Sequence, residues 1–351
     1  MALFLRESDV QQLLTMKTTL ELVERVHREY STGQAIDVPR ERTRLPKAAL
    51  HILQGAVPNS NIFGYKAYTS SREGIRFLVY GFNAERGNLD VVVEANHLGM
   101  MRTGAAGGVA AKWLARPDAK VVGVFGSGWQ AQGQVEALAA VRKLERVKVW
   151  SRTADKREKF CEKMRARLSI DVVPAGSPED CVKGSDIVVT ITTSATPVFP
   201  GEAVEPGTHI NAAGSNSLLR QEIDEATLRK CNPIVVDSRA SALKEAGDLL
   251  PALEKGRLHV GGLTELGEVI AGIRPGRTSS ESAKSSVGSP FSSTLMTARS
   301  VSSSTATTFA GTRRDRGCST EWCFVSSEPA GAAISTWIRR APSITWALVT
   351  M

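Results

Sequence analysis

The run Val121-Val122-Gly123-Val124-Phe125 leads directly into Gly126-Ser127-Gly128-Trp129-Gln130-Ala131, and a stretch rich in Ala, Gln, Glu and Leu follows. A short apolar run, a Gly-x-Gly-x-x-Ala turn and a helix-forming stretch make a strand, a tight turn and a helix N-terminus. Unpaired backbone N–H groups and the positive helix end then face the turn, which suits a pyrophosphate. Gly126 permits the turn, Gly128 lets the backbone approach phosphate, and Ala131 is small enough for helix–strand packing. A dinucleotide site is the favoured reading, with a purely structural Gly-rich turn as the other.

The second strand of this unit reads Val147-Lys148-Val149-Trp150 and ends in Ser151-Arg152-Thr153. NAD-specific folds carry Asp or Glu about 20 residues past the glycines, to bind the ribose 2′-hydroxyl. A hydroxyl residue followed by a guanidinium suits a 2′-phosphate instead, so Ser151, Arg152 and Thr153 predict NADP(H) over NAD(H). A solvated loop cation is the plainer account of Arg152.

These groups need elements to hold them. From about residue 115 the sequence alternates strand and helix: 121–125, 129–143, 147–150, 155–167, 170–173, 186–192, 208–213 and 234–237. That rhythm predicts a parallel sheet covered by helices on both faces. The first hundred residues differ. Ser8-x-x-Gln11 and Thr18-x-x-Glu21 resemble capping boxes, the second opening a helix. Strand-like pieces follow at 50–53, 63–68 and 76–82, then a hairpin turn at 83–87 and a returning strand at 89–93. Past Arg277 the chain turns Ser-rich and loses every period, so it is expected to be largely irregular. The predicted fold is α/β: a Rossmann-like parallel-sheet domain (116–270), a mixed α+β substrate and dimerisation domain (1–115), and an irregular C-terminal segment (271–351).

Composition narrows the function classes. The 351 residues are 42% hydrophobic and 23% charged, in the range of globular proteins. No apolar run is long enough to span a bilayer and charged and polar side chains recur through the first 15 residues, which predicts a cytoplasmic protein without membrane association. The five cysteines show no metal-binding spacing, so no metal is expected. The net charge of +8 is not gathered into a basic stripe interleaved with aromatics, which argues against nucleic acid.

Taken together, several segments resemble the ornithine cyclodeaminase/mu-crystallin family: Gly64-Tyr65-Lys66, Met101-Arg102-Thr103-Gly104-Ala105, Ala111-Lys112-Trp113-Leu114, the glycine turn, His209-Ile210-Asn211-Ala212-Ala213-Gly214, Val236-Asp237-Ser238, Gly247-Asp248 and Glu265-Leu266-Gly267-Glu268. The resemblance implies a homodimer sharing β-structure at its interface. It also implies a substrate-carboxylate site of Arg42, Lys66 and Arg102, in which Lys66 and Arg102 serve catalysis. An amino or imino acid needs such a cationic clamp, and a lysine buried in an apolar strand gains a lowered pKa suited to proton transfer. Within Arg40-Glu41-Arg42-Thr43-Arg44 any of the three arginines fits the role. The resemblance further places Ser127, Trp129 and Gln130 at the pyrophosphate, Thr192 and Ala213 along the cofactor, and Arg220 on its flank.

Two departures stand out. The family's cyclodeaminases carry an aspartate where this chain has Asn216, and a glutamate at about Ile52. Neither an amide nor an alkyl group can accept the proton that cyclodeamination must move. The retained residues suit NADPH-dependent reduction of a small 2-imino acid such as pyrroline-2-carboxylate or piperideine-2-carboxylate, with Asn216 on the substrate side. Ornithine cyclodeamination with His51 or Glu94 as base is the runner-up. A non-catalytic binder of mu-crystallin type is the alternative outside enzymes. The family's Lys-Ser-Val-Gly-like segment is echoed only by Lys284-Ser285-Ser286-Val287-Gly288, so the pocket is expected to lack its C-terminal wall.

Overall fold

The computed structural model describes residues 2–277 and 285–289. The first half runs β1 (Leu3–Leu5), α1 (Glu7–Leu13), α2 (Met16–Ser31), β2 (Ile36–Arg44), β3 (Ala48–Val57), β4 (Ile62–Ser71), β5 (Gly74–Asn83), β6 (Leu89–Glu94) and α3 (Asn96–Leu114). The second half runs β7 (Val121–Phe125), α4 (Trp129–Val141), β8 (Arg146–Trp150), α5 (Ala154–Leu168), β9 (Asp171–Pro174), α6 (Pro178–Val182), β10 (Ile187–Thr190), β11 (His209–Ala212), α7 (Glu225–Lys230), β12 (Cys231–Val236), α8 (Arg239–Glu245), α9 (Leu250–Glu254), β13 (Leu263–Glu265), α10 (Leu266–Ile270) and β14 (Ser285–Ser289).

Two sheets result. The first has order β1-β6-β5-β4-β3-β2 and is antiparallel except for the β1–β6 pair. The second has order β13-β12-β14-β11-β10-β7-β8-β9 and is parallel throughout. The expected α/β class, a Rossmann-like sheet beside a mixed α+β unit, is what forms. Its central strands β7, β10 and β11 are buried, and β7 and β10 are largely apolar runs, as suits strands covered on both faces.

Local details depart from expectation. Helix α2 begins at Met16, capped by Thr15, whose Oγ1 accepts from Thr18 N at 3.2 Å. At α1 it is the Asp9 carboxylate that accepts from Arg6 N, at 2.9 Å. Ser285–Ser289 lie between β11 and β12, a regular strand within a stretch expected to be largely irregular. The backbone groups on the facing edges of β11 and β12 need partners, and β14 supplies them. The rest of that expectation lies outside the described residues.

Helix α3 joins the two halves. It is buried along nearly its whole length and crosses α4 at backbone contact. A Cβ on Gly104 would lie 2.1 Å from the Gly133 carbonyl oxygen, and one on Gly133 would lie 2.6 Å from Met100 O. Three of the four glycines that make the sequence of α3 a poor isolated helix, Gly104, Gly107 and Gly108, are thus what lets it pack. A buried polar relay adds to the joint. His209 Nε2 donates to Asn211 Oδ1 at 2.8 Å, and Asn211 Nδ2 donates to Gly107 O on α3 at 3.0 Å.

Candidate functional site

A cleft of about 700 Å³ opens where the C-terminal ends of β7, β8, β10 and β11 meet β4 and α3. Strand ends of a parallel sheet are where such folds bind ligands. At one end lie Gly126, Ser127, Gly128, Trp129 and Gln130, and beside them Ser151, Arg152 and Thr153. Thr192, Ala213, Gly214, Asn216 and Arg220 form the wall beyond β10 and β11. At the inner end Lys66 and Arg102 meet, together with Arg40, Tyr68 and Phe77.

The glycine turn fits a dinucleotide. Gly126 has φ +117°, and its Cβ would fall 2.5 Å from Ile191 O. A Cβ on Gly128 would meet nothing within 4 Å, so the turn leaves open space at the N-terminus of α4. That space and the first N–H groups of a 13-residue helix are the cradle a pyrophosphate occupies.

The inner end is cationic and dry. Lys66 is 2% exposed, and burial holds its ammonium well below the usual lysine pKa, with Arg102 and Arg40 pushing the same way and Asp37 opposing. Burial, reinforced by Arg40, also draws the Arg102 guanidinium down to about 10. Such a cluster gains from an incoming anion.

The three arginines of β2 now separate. A bulge between Val38 and Glu41 interrupts the register with β3, and the buried Arg40 lines the cleft, its guanidinium 5.9 Å from the centre of the Tyr68 ring. Arg42 does not line it. Its Nε donates to His51 Nδ1 at 3.2 Å, and its NH2 pairs with Glu245, which also pairs with Arg40 at 3.2 Å. The bulge is the signal that sequence reading missed.

Neither base held in reserve for cyclodeamination lines the cleft. His51 stacks on Tyr68 at 4.3 Å, and burial with Arg40 and Arg42 pushes its pKa down to about 4. Glu94 accepts from Glu7 N at 2.8 Å at the start of α1. Register places Leu53 opposite Lys66 and turns Ile52 to the other face, so β3 brings no carboxylate to Lys66. Asn216 does line the cleft, its Oδ1 accepting from Arg220 NH1 at 3.2 Å.

Two buried carboxylates had no role assigned from the sequence: no motif marks Glu222, and Asp248 stood only within the Gly247-Asp248 match. Glu222 accepts from Thr190 Oγ1 (2.9 Å), Thr192 N (2.5 Å), Thr192 Oγ1 (2.6 Å) and Gly214 N (2.7 Å). Asp248 accepts from Glu222 N (2.6 Å) and Ile223 N (3.0 Å), and burial pushes its carboxyl up to about 7.

Among the described residues no helix is long and apolar enough to cross a membrane, and no group of His, Cys, Asp and Glu could hold a metal ion. Cys161, Cys181 and Cys231 are buried thiols.

Comparison with known proteins matches residues 1–290 to the ornithine cyclodeaminase/mu-crystallin family. A Δ1-pyrroline-2-carboxylate reductase of Bacillus cereus is 38% identical over 191 residues, which are 54% of this chain and 58% of that protein. The chain thus matches little more than half the length of that relative. Among solved structures, the Thermococcus litoralis Δ1-pyrroline-2-carboxylate reductase in complex with NADH and L-proline is 30% identical, with TM-score 0.78 over 82% of this chain and 92% of that one. An archaeal alanine dehydrogenase dimer with bound NAD is 32% identical, with TM-score 0.77 over 83% and 91%.

These relatives correct the expectation of NADP(H), because the two solved structures hold NADH and NAD. Geometry gives the reason. The Ser151 hydroxyl already accepts from Ser127 Oγ at 3.0 Å and donates to Thr153 O at 3.3 Å, while Arg152 is exposed. A solvated guanidinium beside an occupied hydroxyl is no preorganised phosphate site.

Proposed function

The chain belongs to the ornithine cyclodeaminase/mu-crystallin family, and from that premise we propose that it is an NAD(H)-dependent oxidoreductase reducing the C=N bond of a small 2-imino acid. The cyclic ketimines pyrroline-2-carboxylate and piperideine-2-carboxylate are the favoured substrates. The observation carrying this reading is the convergence of Arg40, Lys66 and Arg102 at one end of a cleft whose other end is the glycine turn.

The glycine turn, Thr192 and Ala213 would hold NADH, which when bound would supply the hydride. Arg40 and Arg102 hold the substrate carboxylate and fix the orientation of its C2, and a well-oriented iminium needs little further activation. Lys66 gives a proton to the imine nitrogen, hydride adds to C2, and the product is the amine of the amino acid. Burial suits Lys66 to that transfer by making its ammonium more acidic. Asn216 and Thr192 complete the substrate and cofactor walls.

The outward face of the first sheet supports a homodimer. Ile36, Val38, Leu50 and Phe63 lie exposed there. The Tyr65–Tyr80 rings stack at 4.7 Å and the Phe63–Phe82 rings at 5.6 Å on the same face. An apolar aromatic face of this kind marks an interface.

The test is a panel of cyclic and open-chain imino acids with NADH, followed by loss of nicotinamide absorbance, and ornithine with NAD, followed by ammonia release. Turnover of a cyclic ketimine with negligible ammonia is the expected result. Ornithine-dependent ammonia release would replace the reading with cyclodeamination, and NADH binding without turnover of any imino acid would make the chain a binding protein.

A further inference from the structure

Glu222 is wholly buried, yet it stands at the lip of the cleft through the groups it holds. One carboxylate oxygen takes Thr192 N and Thr192 Oγ1, and the other takes Gly214 N and Thr190 Oγ1. Thr192 follows β10 and Gly214 follows β11, and both line the cleft. The fit around the carboxylate is close, since a Cβ on Gly214 would come within 2.6 Å of both Glu222 oxygens. The backbone of Glu222 is fixed in turn by Asp248, which accepts from both Glu222 N and Ile223 N.

We propose that Glu222 is a positioning residue for the cofactor: its carboxylate ties the ends of β10 and β11 together and so sets the wall against which the nicotinamide end lies. This rests on the reading that the cleft takes NADH. The bond pattern makes the charge state essential. Each carboxylate oxygen receives one backbone N–H, and a backbone N–H cannot turn away as a hydroxyl can. An amide at this position must therefore point its NH2 at either Thr192 N or Gly214 N, and one lip of the cleft has to move. No shape-preserving neutral replacement satisfies both strands.

The experiment measures NADH dissociation constants by nicotinamide fluorescence, together with the cofactor-free thermal midpoint, for the unaltered chain, Glu222→Gln, Glu222→Asp and Thr190→Val. Glu222→Gln is expected to weaken NADH binding at least tenfold. Thr190→Val removes one donor that does not face the cleft, so it should lower the midpoint while leaving NADH affinity within twofold. Steady-state kinetics should show the Glu222→Gln defect mainly in KM for NADH. Should Glu222→Gln not fold, Glu222→Asp, which keeps the charge but withdraws it, is read by the same criterion. NADH affinity within twofold of the unaltered chain in the folded Glu222 variant would overturn the proposal, as would an equal loss of affinity in Thr190→Val. No NADH binding by the unaltered chain would overturn both this proposal and the function it rests on.

Discussion

Acidification should unlock the joint between the two halves of the molecule through His209. The ring is fully buried and donates to Asn211, and burial pushes its pKa down to about 3 from the ordinary 6.5. The unfolded chain takes up a proton near pH 6.5 while the folded one resists until about pH 3, so lowering the pH between those values favours unfolding. The contribution is complete above pH 6.5. At pH 4 the unfolded imidazole is almost wholly protonated and the folded one almost wholly neutral, which makes the loss between pH 7 and pH 4 about 3 kcal/mol. That figure changes little if the folded pKa is one unit higher, because the unfolded value dominates it. Other groups titrate in the same window, His27 and His51 among them. The assay is therefore a difference: urea unfolding of the unaltered chain and of His209→Gln, each at pH 7 and pH 4. The unaltered chain should lose about 3 kcal/mol more than the variant. Equal losses, within about 0.5 kcal/mol, would show that His209 is not a buried neutral imidazole and would refute the reasoning.

Lys66→Met should raise stability by about 1–3 kcal/mol, because it replaces a buried amine with an apolar chain of similar volume. The same change should cut imino-acid reduction on the order of 100-fold or more; thermal midpoint and kcat measured on one preparation check both, and a variant that is no more stable yet fully active contradicts the role. Gly104→Ala should cost about 1–3 kcal/mol or more, since its Cβ would sit 2.1 Å from Gly133 O. Gly99→Ala on the same helix meets nothing within 4 Å and should gain up to about 1 kcal/mol; thermal unfolding of the pair checks the helix crossing, and similar midpoints would disprove it.

The parallel sheet was legible because strands such as β7 and β10 are buried and read as apolar runs at strand–helix spacing; the expected 121–125 and the observed Val121–Phe125 coincide. The first half was less so. Strand β2 reads Ile-Asp-Val-Pro-Arg-Glu-Arg-Thr-Arg, with Ile36 and Val38 its only large apolar residues and no alternation beyond them, because it faces charged partners and carries a bulge. Helix α3 was invisible to propensity, since its glycines serve contacts with a helix far away in sequence. The cleft residues on the glycine turn and on Lys66 and Arg102 followed from motif and resemblance. Arg40 needed the bulge, and the roles of Glu222 and Asp248 needed the tertiary hydrogen bonds, which leave no spacing to find. The Ser-Arg pair misled about the cofactor because residue type says nothing of solvation.

The backbone contact between α3 and α4 also constrains how the molecule can breathe. A hinge between lobes requires an interface that separates or slides, and here the Gly104 and Gly133 backbones touch while α3 is buried from both sides. Opening the cleft by swinging one half away would pull Met100 off Gly133, at about 1.5–3 kcal/mol for exposing such a side chain. Traffic through the cleft is therefore left to motions smaller than the lobes. The segment after β11 is the place for them: it carries Asn216 and Arg220 at the rim, and its Leu218 and Leu219 are 71% and 83% exposed, so no apolar burial there has to be given up.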